Sequence, residues 1–204
     1  MTANRFDAVL FDLGGIVIEL AGVERMLQWC PALPDTQTMW RRWLESPTVR
    51  SYETGRLARD AFARGIIEEF ALPVDERAFL DEFAFWPRNL YDGATALLDE
   101  LRPRYTLASL SNTNELHWQR FSDEWNLPAL FHHNFPSYAV GRLKPDADYF
   151  EHVLESIGVS PERAAFVDDN AINVAAAQRV GLAARQALGP QGVRAALTDL
   201  GVLP

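Results

Sequence analysis

Five polar residues stand directly after short apolar segments of the sequence: Asp12, Ser111, Asn112, Asp168 and Asp169. Three carboxylates held close together repel one another unless a cation lies between them, and a small set of oxygen ligands suits Mg²⁺, which also binds substrate phosphates. The Ser111 hydroxyl and the backbone amides of a following helix would favour an anion. If the fold brings these segments together, they form a magnesium and phosphate site.

Lys144 is the only lysine among 19 basic residues, since every other basic side chain is an arginine. A lysine ammonium is a compact charge on a thin stem, whereas a guanidinium is a wide planar fork, so a narrow site can require lysine. We therefore interpret Lys144 as the positive charge of the phosphate site. The alternative is a surface lysine with no special role.

Asp12 has two interpretations in such a site. It could serve as a metal ligand alone. A carboxylate whose charge is offset by Mg²⁺ and a lysine can also attack phosphorus and form an aspartyl-phosphate that water then cleaves. Each polar residue by itself is equally typical of a turn or a helix cap, so the predicted chemistry depends on their order and on the strands before them.

The apolar segments have the pattern of buried strands, each followed by a helical stretch. The predicted strands are 8–12, 106–110, 134–138, 164–167 and 182–187, and the predicted helices after them are 115–125, 147–157, 171–180 and 191–200. This alternation predicts an α/β fold, a parallel sheet with helices on both faces. Because the carboxyl ends of parallel strands share one edge, the sheet would bring the polar residues together.

The segment between the first two of these strands is far longer than the dozen or so residues that a parallel crossover needs. Its pattern is helical over 23–29, 36–44, 57–70, 75–85 and 93–101, with prolines between helices at positions 31, 34, 47, 73 and 87. We predict a small α-helical cap at residues 17–90, inserted into a core domain of residues 1–16 and 91–204. We expect the insert's tryptophans to pack in the core of the cap; alternatively, they could form an aromatic wall that binds a sugar. They are Trp29, Trp40, Trp43 and Trp86.

The composition is typical of a packed globular protein, with 48% hydrophobic and 23% charged residues in a chain of 204. The net charge of −9 argues against nonspecific nucleic-acid binding and against binding to anionic membranes. The single cysteine, Cys30, excludes an intramolecular disulfide and fits a reducing compartment. The apolar start at 8–20 is interrupted by Asp12 and predicts neither a signal peptide nor a membrane span. We expect a cytoplasmic monomer or homodimer.

Four short motifs resemble those of the haloacid dehalogenase (HAD) superfamily. They are Phe11-Asp12-Leu13-Gly14-Gly15, Leu110-Ser111-Asn112, Lys144-Pro145, and Val167-Asp168-Asp169-Asn170 with Asn173. The match spans the chain, and the helical insert lies between the first two motifs, where members with a C1 cap carry it. The resemblance implies a Rossmann-like core with a C1 cap, and a Mg²⁺-dependent phosphatase acting on a small phosphate ester.

The resemblance also implies roles for the motif residues, with Asp12 as the nucleophile. The implied metal ligands are Asp12, the Gly14 carbonyl, Asp168 and Asp169. The implied residues that bind or neutralise the phosphoryl group are Ser111, Asn112, Lys144 and Gly15. Residues 111–114, 116–117 and 52–55 are further similar to bacterial sugar-phosphate phosphatases of the glucose-1-phosphatase type, so a sugar phosphate is one expected substrate.

Position 14 departs from the usual phosphatase pattern of the superfamily. A second aspartate normally stands two residues after the nucleophile, as acid towards the leaving group and then base towards water, and here that residue is Gly14. Loss of such a group costs about 10²–10⁴ in rate. Three explanations are open: slow turnover, another group such as Glu115, His117 or a cap residue, or a substrate with a good leaving group such as an anomeric phosphate.

Two other functions fit parts of the sequence. A metal-independent 2-haloacid dehalogenase also has an aspartate nucleophile without the second aspartate, but it does not carry the paired carboxylates that stand here as Asp168 and Asp169. A catalytically weakened phosphate-binding scaffold is the other alternative. The retention of Asp12 and Lys144 argues against that weakening.

Overall fold

The structure of the protein is a computed structural model that describes residues 5–30 and 35–204, and it contains seven strands within these ranges. Its strands are β1 (Ala8–Phe11), β2 (Ile18–Leu20), β3 (Pro87–Leu90), β4 (Thr106–Ser111), β5 (His133–Pro136), β6 (Ala164–Asp168) and β7 (Ala183–Gln186). Five of them form a parallel sheet in the order β5-β4-β1-β6-β7. The predicted Rossmann-like α/β architecture is confirmed.

Helices account for most of the remaining structure. They are α1 (Gly22–Trp29), α2 (Thr36–Glu45), α3 (Pro47–Glu53), α4 (Arg59–Phe70), α5 (Glu76–Phe83), α6 (Ala94–Leu101), α7 (Glu115–Trp125), α8 (Ser137–Val140), α9 (Ala147–Ile157), α10 (Ala171–Val180) and α11 (Gly189–Leu200). None of the helices within the described ranges has the length and apolar character needed to cross a membrane.

The central strand β1 is buried on both faces, because successive side chains of a strand point to opposite sides of the sheet. Val9 and Phe11 pack in a cluster with residues of α6 and α11. Ala8 and Leu10 pack in a second cluster with residues of α9 and α10. These two layers hold β1 rigidly and so fix the position of the residue that follows it.

Helices α1 to α5 enclose a separate cluster that is rich in aromatic rings. Tyr52 of α3 stacks on Phe62 of α4, with ring centroids 4.1 Å apart. Trp43 of α2 contacts Phe83 of α5, with centroids 6.3 Å apart. The helical insert therefore has its own hydrophobic core, as expected for a cap. We keep residues 17–90 as the proposed extent of that cap.

The insert differs from the sequence prediction in three elements, β2, β3 and α3. Strands β2 and β3 pair antiparallel, with Ile18 opposite Leu90, and are too short to leave a periodic pattern. Pro47, expected to separate helices, instead begins α3, where Ser46 caps the helix by accepting from the Val49 amide at 3.1 Å. Proline suits the first turn because its missing N–H has no partner there anyway. The predicted breaks at positions 31 and 34 lie outside the described residues.

Candidate active site

The carboxyl ends of β1 and β6 lie side by side. Phe11 pairs with Val167, and the Asp12 amide donates to the Val167 carbonyl at 2.9 Å. Asp12 therefore stands level with Asp168, the last residue of β6. Ligand oxygens of Asp12, Asp168 and Asp169 all lie within 4.8 Å of one another. The structure thus brings together the three carboxylates that the sequence analysis selected.

Lys144 joins this cluster and is not a surface lysine. Its residue is 1% exposed, and its Nζ lies 2.8 Å from Asp12 Oδ1 and 2.7 Å from Asp168 Oδ2. Asn112 fixes the loop that carries it, because the Asn112 side chain donates to the Lys144 carbonyl and accepts from the Lys144 amide, each at 2.8 Å. Ser111 ends β4, is buried, and lines the same cavity as Asp12.

Asp168 and Asp169 have different surroundings despite being adjacent. Asp168 is fully buried. It accepts hydrogen bonds from Lys144, from the Asn170 amide at 2.8 Å, and from Asn173 Nδ2 at 3.1 Å to each oxygen. Asp169 lines the cavity beside Asp12. Asp168 is therefore occupied in holding Lys144, whereas Asp169 faces the space where a ligand would bind.

The cluster carries more negative than positive charge. Burial raises the pKa of Asp12, against the attraction of Lys144, and the Asp168 carboxylate raises it further. Burial raises the pKa of Asp169, and the carboxylates of Asp12 and Asp168 raise it further. Burial disfavours the Lys144 ammonium, yet its carboxylate partners raise the pKa of the lysine overall. Carboxylate oxygens at a partly open edge with unbalanced charge are a donor set that fits Mg²⁺.

Gly14 and Gly15, which follow Asp12, differ in the neighbour that a side chain at each position would meet. Gly15 has a φ of +69°, and a Cβ there would lie 2.5 Å from Asp169 Oδ2, so glycine is required for Asp169 to approach. Gly14 lines the cavity. A Cβ on Gly14 would lie 2.5 Å from Leu20 Cδ1. A side chain at position 14 would therefore require Leu20 to move.

The cavity extends from the carboxylates into the helical insert, where its wall is mainly apolar. The apolar side chains of the insert that line the cavity are Ile18, Leu20, Val23, Met39, Trp40, Trp43, Leu44, Phe83, Trp86 and Pro87, and Phe121 of α7 also lines it. Three of the four tryptophans named from the sequence are in this wall, and the same three also pack in the aromatic cluster of the insert. The predicted packing of the tryptophans in the insert is therefore observed, whereas the binding of a sugar by them stays a prediction.

Glu53, at the end of α3, is a cavity residue that the sequence analysis did not select for chemistry. It is 7% exposed, and Trp43 Nε1 donates to its Oε1 at 3.4 Å. Burial raises the pKa of Glu53 to about 7, although Trp43, Lys144 and Arg50 each act to lower it. Its place in the motif at 52–55 was the available signal, but a glutamate in a predicted loop is usually solvated.

His117 and Glu115, the two named substitutes for the missing aspartate, are poorly placed for that task. Glu115 is exposed at the start of α7. His117 Nε2 lies 2.7 Å from the Phe83 carbonyl and must donate to it. Asn114 Oδ1 accepts from the His117 amide at 3.0 Å, so Asn114 Nδ2, at 3.1 Å, donates to the ring Nδ1. Burial lowers the pKa of His117 to about 4, which leaves a neutral ring with both nitrogens engaged.

Residues 6–181 match the haloacid dehalogenase-like hydrolase family. The chain belongs to this family. The resemblance stated from the four motifs is confirmed, and so is the expectation of a hydrolase. In this HAD-like hydrolase, Asp12, Asp168, Asp169 and Lys144 are separated by up to 157 positions in the sequence. They meet at one sheet edge because the parallel strands align their carboxyl ends.

Similar proteins include phosphatases. A sesquiterpene phosphatase of Aspergillus oryzae is 29% identical over 184 residues, which cover 87% of this chain and 87% of that protein. A D-ribitol-5-phosphate phosphatase of Bacteroides thetaiotaomicron is 24% identical over 186 residues, covering 85% and 87%. The crystal structure of a HAD family enzyme from Bacteroides thetaiotaomicron, in complex with magnesium and inorganic phosphate, matches with a TM-score of 0.70 at 25% identity and covers 89% of this chain and 94% of that one.

Proposed function

We propose that the protein is a Mg²⁺-dependent phosphatase that hydrolyses a small phosphate monoester through an aspartyl-phosphate on Asp12. The observation that carries this proposal is the cluster of three carboxylates within 4.8 Å beside the buried ammonium of Lys144. The relatives that are named phosphatases, and the structural neighbour that holds magnesium and phosphate, support the same chemistry.

The proposed ligands of Mg²⁺ are Asp12, Asp169 and the Gly14 carbonyl. Asp168 contributes in another way, because its oxygens already accept from Lys144, Asn170 and Asn173 and so hold the ammonium beside Asp12. When bound, Mg²⁺ would supply positive charge to the transferring phosphoryl group.

Asp12 attacks phosphorus with one carboxylate oxygen, and the bond from phosphorus to the leaving oxygen breaks. The Ser111 hydroxyl and the Asn112 amide hold the phosphoryl oxygens, because the Thr113 amide already donates to Ser137 Oγ at 2.9 Å. The Asn112 side chain holds the Lys144 loop in place. Water then attacks the phosphorus of the aspartyl-phosphate and loses a proton. This step releases inorganic phosphate and restores the Asp12 carboxylate.

The leaving group is proposed to be apolar. Aromatic and aliphatic side chains dominate the wall of the cavity that faces the phosphoryl site, among them Trp40, Trp86 and Leu20. Burial against such a wall favours a hydrocarbon chain, whereas sugar hydroxyls would lose hydrogen bonds to water there. The relative that is a sesquiterpene phosphatase supports this substrate class. A sugar phosphate is the second candidate, supported by the relative that acts on D-ribitol 5-phosphate.

The charge balance of the site argues against both rival functions. A metal-independent dehalogenase would leave Asp12 and Asp169 buried together with no cation between them. A scaffold that only binds phosphate would use the Lys144 ammonium but gains nothing from the Asp12 carboxylate 2.8 Å from it, because that carboxylate repels a phosphate unless it serves as nucleophile or metal ligand.

The test is phosphate release from farnesyl phosphate, D-ribitol 5-phosphate, a sugar 1-phosphate and p-nitrophenyl phosphate, with Mg²⁺ and with EDTA. Asp12→Asn, which keeps the shape of the nucleophile, should lose activity by at least about 10³-fold. Asp123→Asn, at an exposed position of α7, is the matched control. Hydrolysis by Asp12→Asn at the wild-type rate, or halide release from a 2-haloacid in EDTA, would contradict the proposal.

A further inference from the structure

The proposed reaction has no proton donor at Gly14, and the following inference rests on that proposed function. An alcohol leaves phosphorus slowly unless its oxygen is protonated. Among the described residues, the titratable side chains that line the cavity are Asp12, Glu53, His117, Lys144 and Asp169. Three of these form the charged cluster at the sheet edge, and both ring nitrogens of His117 are engaged. Glu53 is the group that is left.

Glu53 has unusual surroundings for a glutamate. It is buried among aromatic residues, and its carboxyl receives one side-chain hydrogen bond, from Trp43 Nε1. Within residues 5–30 and 35–204 it forms no ion pair. A buried carboxylate without an ion pair is unfavourable, so these surroundings favour the protonated form. A carboxyl kept protonated next to a phosphoryl site can donate that proton.

Charged groups act on Glu53 from the cap and from the core. Lys144 on the core side and Arg50 on α3 favour the carboxylate, as does the Trp43 indole, whereas Asp12 favours the acid. Burial outweighs the attractions and brings the pKa of Glu53 to about 7. Both protonation states are therefore accessible near neutral pH, which suits a group that first donates and then accepts a proton.

Helix α3 is fastened to the core on both sides of Glu53. Arg50 forms an ion pair with Asp146, which follows the buried lysine by two residues. Gly55 has a φ of +71°, and a Cβ there would lie 2.4 Å from the Tyr138 carbonyl of α8. These contacts hold the end of α3 against the segment that follows β5 and carries Lys144, so that Glu53 and Lys144 line the same cavity.

We propose that Glu53 is the general acid and base of this enzyme. Its carboxyl proton passes to the leaving oxygen as the bond from that oxygen to phosphorus breaks and Asp12 forms its bond to phosphorus. The Glu53 carboxylate then takes a proton from the water that attacks the aspartyl-phosphate, which frees inorganic phosphate and regenerates the acid. The cap thereby supplies the group that is missing at Gly14.

The experiment compares Glu53→Gln with wild type on n-octyl phosphate, whose alcohol needs protonation, and on p-nitrophenyl phosphate, whose phenolate leaves without it. We expect kcat/KM for the octyl ester to fall by about 10²–10⁴. For the aryl ester, kcat/KM reports formation of the aspartyl-phosphate and should stay within about threefold of wild type. Its kcat should fall with a burst of p-nitrophenolate, because the base that activates water is gone.

The retained kcat/KM for the aryl ester also shows that the variant is folded. Glu45→Gln, an exposed acid-to-amide change on α2, is the matched control and should behave as wild type on both esters. Glu53→Asp keeps a carboxyl and should recover part of the activity on the octyl ester. Equal losses on the two esters, or full activity of Glu53→Gln on the octyl ester, would overturn the assignment of Glu53.

Failure of this inference differs from failure of the proposed function. If Asp12→Asn is inactive while Glu53→Gln equals wild type on both esters, Asp12 chemistry stands and Glu53 is not the proton carrier. If Asp12→Asn cleaves the aryl ester as fast as wild type, the aspartyl-phosphate mechanism falls, and the assignment of Glu53 falls with it.

Discussion

The two walls of the cavity are built in opposite ways. On the core wall Lys144, Asp12 and Asp168 have close polar partners: Lys144 lies between Asp12 and Asp168, and Asn173 and the Asn170 amide hold Asp168. On the cap wall aromatic rings dominate. Among the described residues of that wall, Glu53 is the only carboxyl, and it accepts a hydrogen bond of 3.4 Å from the Trp43 indole.

This difference separates two requirements of phosphoryl transfer. The charges that surround phosphorus must be fixed before the substrate arrives, and strand register together with a hydrogen-bond network achieves that. The leaving group varies with the substrate, and an apolar wall on a separate helical layer can change without disturbing those charges. Tight polar pairing on one wall and loose apolar packing on the other therefore predict different responses to mutation.

Lys144→Arg tests the core wall and should have the largest effect of the three changes that compare the two walls. The formal charge is kept, but a planar guanidinium is wider than the space that holds Nζ between two carboxylates. We expect kcat/KM for p-nitrophenyl phosphate to fall by about 10²–10³. The measurement is phosphate release at saturating Mg²⁺.

Two further variants calibrate that result. Lys144→Met keeps the stem without the charge and should lose at least as much activity as Lys144→Arg. Arg142→Lys exchanges the same residue types at an exposed position two residues away and should leave turnover unchanged. Near-normal turnover of Lys144→Arg would mean that the core wall accepts either cation and is less tightly built than its distances indicate.

His117 connects the two walls, and its effect is on stability. Its ring donates to the Phe83 carbonyl of the cap and accepts from Asn114 of the core. The pKa of His117 is about 4 in the fold because of burial, and about 6.5 in an unfolded chain. The unfolded chain therefore binds the proton first, so the contribution of neutral His117 is present above pH 6.5 and is lost as the pH falls towards 4. Between pH 7 and pH 5 the loss should be about 2 kcal/mol.

Urea unfolding of wild type and His117→Gln at pH 7 and pH 5 measures this effect. Buried carboxyls with a raised pKa, such as Glu53, act in the opposite direction, so the difference between the two proteins isolates the histidine. His133→Gln, at an exposed position of β5, is the control and should follow wild type. Parallel pH dependence of His117→Gln and wild type would show that burial between the two walls does not lower the pKa of His117.

The core wall was predictable from the sequence for a physical reason. Strands in a doubly covered parallel sheet are continuously apolar, so a carboxylate such as Asp12 or Asp168 at the end of such a run stands out. The common edge of a parallel sheet then implies that the ends meet. Lys144 was selected because it is the only lysine of the chain and because Lys144-Pro145 is one of the four motifs, although nothing in the sequence showed that Asn112 would hold its loop.

The cap wall was not predictable to the same depth. Strands as short as β2 and β3 show no hydrophobic periodicity in the sequence. Pro47 is equally compatible with a helix break and with the first residue of a helix. The burial of Glu53 depends on α3 packing between the aromatic cluster and the core. Contacts between segments that are distant in the sequence determine this burial, and the hydrophobic pattern of the residues around Glu53 does not predict such contacts.

Trp40→Ala tests the cap wall and should have the smallest effect. Trp40 is half-buried and lines the cavity, whereas Trp43 and Trp86 are buried within the aromatic cluster, where removal would also weaken the fold. Loss of one apolar contact surface is worth about 1–2 kcal/mol, so kcat/KM for farnesyl phosphate should fall by about 5–30-fold. D-ribitol 5-phosphate, which gains little from an apolar wall, should change less than about twofold.

Trp118→Ala is the matched control, because Trp118 is half-buried on α7 and packs against the core cluster. It should change kcat/KM for the two substrates by the same small factor. A selective loss on farnesyl phosphate in Trp40→Ala alone would place leaving-group recognition on the cap wall, since the phosphoryl group is common to both substrates. Equal losses on both substrates would mean that Trp40 acts by positioning the cap on the core. The assignment of leaving-group recognition to the cap wall would then be wrong.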